Sequence, residues 1–179
     1  MKSDYRIRAQ KFIKQIFPYI DGYMYDDIDE TIRRVQRFAA EKHRKILVNH
    51  GLSRIAIITA DYVIKWDIHF AQNKSERNLA GDCEKEYLTW RWLLDENPGY
   101  AYLFAEIIRF RFGGENFYIM PRVRGIDKDR HGDVYEYVEG DEEDFLNEWF
   151  YDLHSGNFGI DLKGNITIFD YAWNRLNFD

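Results

Sequence analysis

An aspartate and an asparagine lie five residues apart in the segment Asp152-Leu153-His154-Ser155-Gly156-Asn157. This spacing lets the Asp152 carboxylate face an attacking hydroxyl group while the side-chain oxygen of Asn157 turns toward a metal ion. Asp170 follows 13 residues after Asn157, at the end of a short predicted strand. There it can meet Asn157 across a hairpin, and these two hard oxygen ligands suit magnesium. The pattern indicates phosphoryl transfer from ATP, which depends on positioning and charge neutralisation.

A lysine, Lys65, lies inside the apolar run Tyr62-Val63-Ile64-Lys65-Trp66. A cation in a buried strand needs an anionic partner. Glu86 and Glu84, on the following predicted helix, are both candidates. Glu86 is preferred because it shares a helix face with Trp90, four residues later, whose ring should point inward. The pair would hold the α- and β-phosphates of ATP.

The elements that must position these residues can be predicted from the spacing of apolar residues. We expect the first helix to end near Pro18, because proline lacks the amide hydrogen that a helix requires. Residues 124–140 are predicted to be irregular. In chain order, the predicted elements are helices over 4–20 and from 26 onward, strands over 46–48, 54–59 and 62–68, a helix over 76–95, strands over 102–112 and 117–120 joined by Gly113-Gly114, a helix over 142–150 and a strand over 165–169.

This order predicts an α+β fold, because one helix is inserted into a run of five antiparallel strands. The catalytic loops would follow that sheet. Domain boundaries are expected near residues 45 and 123, giving an N-terminal helical extension over 1–45, a sheet lobe over 46–123 and a smaller lobe over 124–179.

The bulk composition excludes several classes of protein. The chain has 179 residues, 45% of them hydrophobic, and a net charge of −6. It is therefore predicted to be an ordinary folded domain without nucleic-acid binding. Cys83 is the lone cysteine, which excludes an internal disulfide. With no secretory signal and no membrane-length apolar run, we expect a cytoplasmic location, in the host cytoplasm if the chain is viral.

These motifs resemble those of known enzymes. Val63-Ile64-Lys65 resembles the strand lysine motif of protein kinases, and the segment 152–157 resembles their catalytic loop. Its sequence pattern, D-L-H-x-G-N, is similar to that of aminoglycoside and choline phosphotransferases. The pattern D-x-H-S-G-N also resembles the catalytic loop of small phage-encoded protein kinases. Phe169-Asp170-Tyr171 stands where kinases have Asp-Phe-Gly. The segment Asn49–Arg54 stands where they have the glycine-rich loop, and Met120–Val123 where they have the adenine-contacting hinge.

The resemblance, which covers about residues 46–173, implies a minimal bilobal kinase-like fold and an ATP- and Mg²⁺-dependent kinase. Under it, Asp152 orients the acceptor hydroxyl, Asn157 and Asp170 bind Mg²⁺, and Lys65 with Glu86 places the phosphates. Gly51 and Ser53 would contact phosphate, and Met120 and Val123 the adenine. The expected enzyme is a Ser/Thr protein kinase of phage or atypical bacterial type.

The chain departs from the family in three places. The phosphate loop has one glycine, Gly51, where kinases have three, and Tyr151 precedes Asp152 where most protein kinases have arginine. The sequence also ends nine residues after Asp170, so we expect a much reduced C-terminal lobe. A similar-looking segment, His131-Gly132-Asp133, has no asparagine five residues further on and is read as a surface turn.

Two alternatives stay open for the acceptor and the activity. The acidic run Asp141–Asp144 could attract a small cationic acceptor, such as an aminoglycoside or a choline-like amine. A pseudokinase would instead act as a nucleotide-binding interaction module. Its basic N-terminal helices would then bind a partner protein or a second copy.

Overall fold

Two units of mixed helix and sheet make up the chain in the computed structural model. The first unit comprises Met1–Glu84 with Ile108–Arg122, and the second comprises Lys85–Ile107 with Val123–Asp179. The predicted α+β class is confirmed. The residues that the structure describes are 4–20, 28–51, 53–67, 81–126, 134–151 and 153–176.

The first unit contains two helices and a five-stranded antiparallel sheet, and the spacing of apolar residues predicts these elements. The sheet order is β1-β2-β3-β5-β4. The elements are α1 (Tyr5–Ile20), α2 (Ile28–Glu41), β1 (Leu47–His50), β2 (Arg54–Ile58), β3 (Tyr62–Asp67), β4 (Ile108–Phe112) and β5 (Glu115–Pro121).

The β4–β5 hairpin is fixed by its turn. Gly113 and Gly114 have φ angles of +63° and +92°, the conformation that a two-residue hairpin turn needs and that glycine adopts without strain. A Cβ atom on Gly113 would also lie 2.0 Å from the Phe17 ring. The turn sets the register, so that Arg109 lies opposite Tyr118 and Phe110 opposite Phe117.

The core of the first unit joins the buried face of α1 to the sheet. Spacings of three and four residues put the buried α1 side chains on one stripe. The α1 helix ends at Ile20, two residues after Pro18, which confirms the predicted helix over 4–20. The buried Ile20 packs into the same core as Ile16. The fully buried α1 residues are Ala9, Phe12, Ile13, Ile16 and Ile20.

The second unit contains a small antiparallel sheet of order β6-β7-β8. The helix α3 starts in the first unit and continues into the second. The remaining elements are α3 (Asp82–Glu96), β6 (Arg124–Gly125), α4 (Asp141–Trp149), β7 (Phe158–Ile160) and β8 (Ile166–Ile168), with single 3-10 turns at Ala101–Leu103 and Val134–Glu136.

Residues 102–107 correct the predicted strand over 102–112. The strand begins only at Ile108, and the preceding segment starts as a 3-10 turn. Phe104 then forms a single bridge with Ile168, and the Ala105 amide donates to the Ile168 carbonyl at 2.8 Å. An apolar run in the sequence does not distinguish a strand from another kind of buried segment. The conformation of residues 102–107 is instead set by their contacts with β8.

Within the described ranges, no helix has both the length and the apolar character needed to cross a membrane.

We predict that α1 stabilises the first unit through its core face. Ile13→Ala removes a fully buried side chain and should lower the free energy of unfolding by about 2–5 kcal/mol. Ile7→Ala removes the same atoms from the same helix at a position that is 62% exposed, and should change it by less than about 0.5 kcal/mol. Urea denaturation of both variants checks this. Equal effects would contradict the burial pattern.

Candidate functional site

The β7–β8 hairpin brings the backbones of Asn157 and Asp170 together. Phe158 pairs with Ile168 in the antiparallel register, and Asn157 directly precedes β7. The Asn157 carbonyl accepts hydrogen bonds from the amides of Phe169, at 2.8 Å, and of Asp170, at 3.1 Å. The two predicted metal ligands are thus neighbours across the hairpin, as their 13-residue spacing suggested.

The loop before β7 is a tight turn built from His154 and Gly156. The Asn157 amide donates to the His154 carbonyl at 2.8 Å, and the Gly156 amide donates to Nδ1 of His154 at 2.9 Å. A Cβ atom on Gly156 would lie 2.6 Å from the His154 ring, so a larger residue there would displace this ring and its hydrogen bond. The histidine therefore has a hydrogen-bonding role in the loop. Asp152 lies outside the described residues.

Asp170 belongs to a group of carboxylates around a buried phenol. The Tyr171 side chain is 1% exposed, and its hydroxyl donates to the Ala105 carbonyl at 2.8 Å. Burial raises the pKa of Tyr171 well above its ordinary value, and the negative charges of Glu86, Asp170 and Glu106 raise it further. Three carboxylates of the second unit thus act on the same buried group.

The donor atoms at the hairpin fit a magnesium ion. Asn157 is 6% exposed and Asp170 is half-buried, and they supply an amide oxygen and a carboxylate. Magnesium is typically held by one or two protein oxygens together with substrate phosphates and water. Among the described residues, no group of three or more His, Cys, Asp or Glu side chains is placed to hold a metal.

Lys65 is buried in the first unit, with 5% of its surface exposed. It lies in the middle of β3, opposite Ala56 on β2 and Tyr118 on β5. Glu86 is fully buried in the part of α3 that belongs to the second unit. The pairing of Lys65 with Glu86 stays a prediction.

Glu84, the other candidate partner, is engaged inside the first unit. Its Oε1 accepts a hydrogen bond from Arg109 Nη1 at 2.5 Å, and its Oε2 accepts one from the Tyr118 hydroxyl. Burial, followed by this hydrogen bond, raises the pKa of Tyr118 far above its ordinary value. The sequence interpretation missed this network. The Gly113-Gly114 turn could have revealed part of it, because it places Arg109 opposite Tyr118.

The start of α3 is fixed to β3 and to the loop after β1. Asp67 Oδ1 accepts a hydrogen bond from the Cys83 amide at 2.9 Å. A Cβ atom on Gly81 would lie 2.3 Å from the Asp67 carboxyl carbon, so a larger residue there would displace the carboxylate that accepts from Cys83. The Ser53 hydroxyl donates to Asp82 on the first turn of α3. These contacts position α3, and no sequence motif indicated them.

The predicted phosphate loop has an ordinary backbone. Gly51 has no positive φ angle, and a Cβ atom there would meet nothing within 4 Å. The fold therefore does not require glycine at this position. The hydroxyl of Ser53 is engaged by Asp82, so donation to a phosphate would require its rotation. The roles of Gly51 and Ser53 stay predictions.

The predicted adenine-contacting residues lie on either side of the point where the chain passes from the first unit to the second. Met120 is buried on β5, opposite Val63 of β3, and belongs to the first unit. Val123 is half-buried and is the first residue of the returning second unit. Between them, Arg122 donates from its amide to the Asp61 carbonyl at 3.0 Å and from Nη1 to the Thr59 carbonyl at 2.7 Å.

Comparison of the chain with protein-family models, with curated proteins and with solved structures finds no match.

We predict that Tyr171 makes stability depend on alkaline pH. Its pKa is raised in the folded chain, so above pH 10 the unfolded chain releases this proton while the folded chain keeps it. Ionisation then favours unfolding, and the stabilisation present below pH 10 is lost as the pH rises. The wild type should lose up to about 1.4 kcal/mol per pH unit more than Tyr171→Phe.

Urea denaturation at pH 8, 10 and 11 checks this prediction. At pH 8, Tyr171→Phe should be less stable by about 1 kcal/mol, because the hydrogen bond to Ala105 is lost. Tyr151→Phe, which removes an exposed hydroxyl, is the matched control. The same pH slope in wild type and Tyr171→Phe would contradict the prediction.

Proposed function

We propose that this protein is an ATP- and magnesium-dependent phosphotransferase of the protein-kinase-like class, acting on a Ser or Thr hydroxyl of a protein. One observation carries the proposal: the Asn157 carbonyl accepts hydrogen bonds from both Phe169 and Asp170. The segment that resembles a kinase catalytic loop is thereby joined to the segment that resembles the metal-binding motif. Two residues that the proposed phosphoryl transfer requires are therefore neighbours in the backbone.

In this proposal each residue has one task. Asp152 orients the acceptor hydroxyl and accepts its proton as the oxygen attacks the γ-phosphate. Asn157 and Asp170 hold the magnesium ion, which would neutralise phosphate charge when bound. Lys65 binds the α- and β-phosphates, and Glu86 holds the lysine in place.

The burial of the charged residues supports these tasks. Lys65 is 5% exposed and Glu86 is fully buried. Burying an ionised side chain costs several kcal/mol unless partners compensate it. A core made of apolar residues alone would avoid that cost. A site that binds a charged substrate would require charged side chains such as Lys65 and Glu86 at buried positions.

We predict that phosphoryl transfer depends on Asp152. In an assay with labelled ATP, magnesium and a mixture of protein acceptors, Asp152→Ala should lower the rate by at least about 100-fold, because general-base catalysis and acceptor positioning are lost. Asp133→Ala is the matched control, since His131-Gly132-Asp133 imitates the motif without the following asparagine. Its rate should stay within about twofold of wild type.

Nucleotide binding separates an inactive enzyme from a wrong assignment. ATP with magnesium should raise the melting temperature of wild type and of Asp152→Ala by mass action. Asp170→Asn should reduce the shift, because a metal ligand is weakened. A shift without any transfer would favour the pseudokinase alternative. No shift at saturating ATP, with no transfer to any acceptor, would overturn the proposal.

An acidic pocket favours a small cationic acceptor as the second candidate. In the second unit, a pocket of about 560 Å³ is lined by Tyr137 and four carboxylates: Glu136, Glu139, Asp141 and Glu142. Such a pocket attracts an amine. It includes two residues of the acidic run that the sequence indicated.

We predict the result that would select this candidate. For a hydroxyl-bearing amine such as choline or kanamycin, Glu139→Gln with Asp141→Asn should raise KM at least about tenfold and leave the KM for ATP unchanged. Glu143→Gln with Asp144→Asn removes the same charge from exposed α4 residues outside the pocket and is the control. Absence of transfer to any amine, with transfer to protein, would exclude this candidate.

A further inference from the structure

A pocket of about 480 Å³ lies in the first unit, and none of the residues assigned to phosphoryl transfer lines it. Three separate segments form it: one face of α1, the connection from α2 to β1, and the turn between β2 and β3. Its volume lies in the range of about 300–1,000 Å³ that is usual for small-molecule sites. None of the sequence motifs drew attention to it.

The charges in this pocket oppose those of the chain as a whole. Arg8 and Lys11 project from α1, and Arg44 and Lys45 follow α2. Among the described residues that line the pocket, Asp61 is the one carboxylate. Four cations against one anion give the pocket a formal charge of +3, in a chain whose net charge is −6. Clustered like charges destabilise a fold unless a counter-ion is bound.

Two of the cations are held in fixed positions. Arg8 Nη1 forms an ion pair with Asp61 at 2.7 Å, and Arg8 Nε is buried without a hydrogen-bond partner among the described residues. Arg44 Nη2 donates to Gln15 Oε1 at 3.1 Å, and its guanidinium carbon lies 4.9 Å from the centre of the Phe12 ring. Both arginines therefore keep donors that these contacts do not use.

Aromatic side chains contribute the apolar part of the pocket. Phe12 and Tyr62 are 1% and 7% exposed, and Ile46 is half-buried. Lys11 and Lys45 are exposed. A ligand that is anionic at one end and apolar at the other would match this combination.

We propose that this pocket binds the phosphate group of a small phosphorylated molecule that carries an apolar or aromatic portion. A phosphate dianion offers several acceptor oxygens to several donors, and guanidinium groups bind it in forked geometry. Arg8, Arg44, Lys11 and Lys45 hold the phosphate, and Ile46 with Tyr62 contacts the apolar portion, while Phe12 lies beneath the Arg44 guanidinium. The site does not depend on the phosphotransferase assignment.

The test is calorimetric titration of the full chain with phenyl phosphate, in the absence of magnesium and nucleotide. Saturable binding to one site is expected, with inorganic phosphate binding more weakly because it lacks the ring. The Lys11→Gln/Lys45→Gln variant should bind phenyl phosphate at least about tenfold more weakly. Lys42→Gln/Lys163→Gln makes the same charge change at exposed lysines outside the pocket and should bind within about twofold of wild type.

A second variant should strengthen binding. Asp61→Asn removes the carboxylate and frees Arg8 Nη1, so phenyl phosphate should bind about three- to tenfold more tightly at low salt. This gain cannot result from misfolding. Equal affinity in wild type and Lys11→Gln/Lys45→Gln, weaker binding to Asp61→Asn, or no saturable binding would each overturn the proposal. A phosphoserine peptide that binds more tightly than phenyl phosphate would overturn the assignment to a small molecule.

Discussion

The carbonyl oxygen of Asn157 is the atom on which the candidate site depends. By accepting the amides of both Phe169 and Asp170, it fixes where β8 ends relative to the loop that precedes β7. These are backbone hydrogen bonds, so they set the register of the hairpin whichever side chains stand at positions 157 and 170. A slip of one residue in the β7–β8 register would turn these side chains to the opposite face of the hairpin.

The core of the second unit holds that register. Leu153, Phe158, Ile168 and Tyr171 are all buried in one apolar cluster, and they lie on both sides of the hydrogen bonds to the Asn157 carbonyl. The segment at Ala105 contacts β8 twice, since its amide donates to Ile168 and its carbonyl accepts from Tyr171. The stretch that was expected to be a strand therefore supports the hairpin. Because residues 102–107 were predicted to be a strand, the contacts of Ala105 with Ile168 and Tyr171 were not foreseen.

Local sequence signals predicted the fold where the partners lie close together in the chain. Gly113-Gly114 fixes the β4–β5 hairpin, and the 13-residue spacing of Asn157 and Asp170 allows them to meet across β7 and β8. The strand β6 was missed because it is two residues long. So short a segment carries no periodic pattern, and β6 pairs with β7, far along the chain.

Long-range polar contacts account for the rest of what the sequence did not predict. The hydrogen bonds of Glu84 join α3 to strands β4 and β5, and Asp67 binds the Cys83 amide. No spacing rule connects these residues, since each contact depends on tertiary packing. The choice between Glu84 and Glu86 illustrates the point. Helix periodicity alone left both available, whereas the fold engages Glu84 with Arg109 and Tyr118 inside the first unit.

The distribution of charge says more about ligands than the net charge does. A net charge of −6 gave no argument for nucleic-acid binding, yet the first unit gathers four cations around one pocket. The second unit gathers carboxylates around another. Electrostatic attraction falls off over about 10 Å at ordinary salt. A ligand in each pocket is therefore attracted by the charges of the lining residues rather than by the net charge of the chain. A chain that is acidic overall can therefore select a phosphate at one surface and an amine at another, and only the folded arrangement of Arg8, Lys11, Arg44 and Lys45 makes the first of these visible.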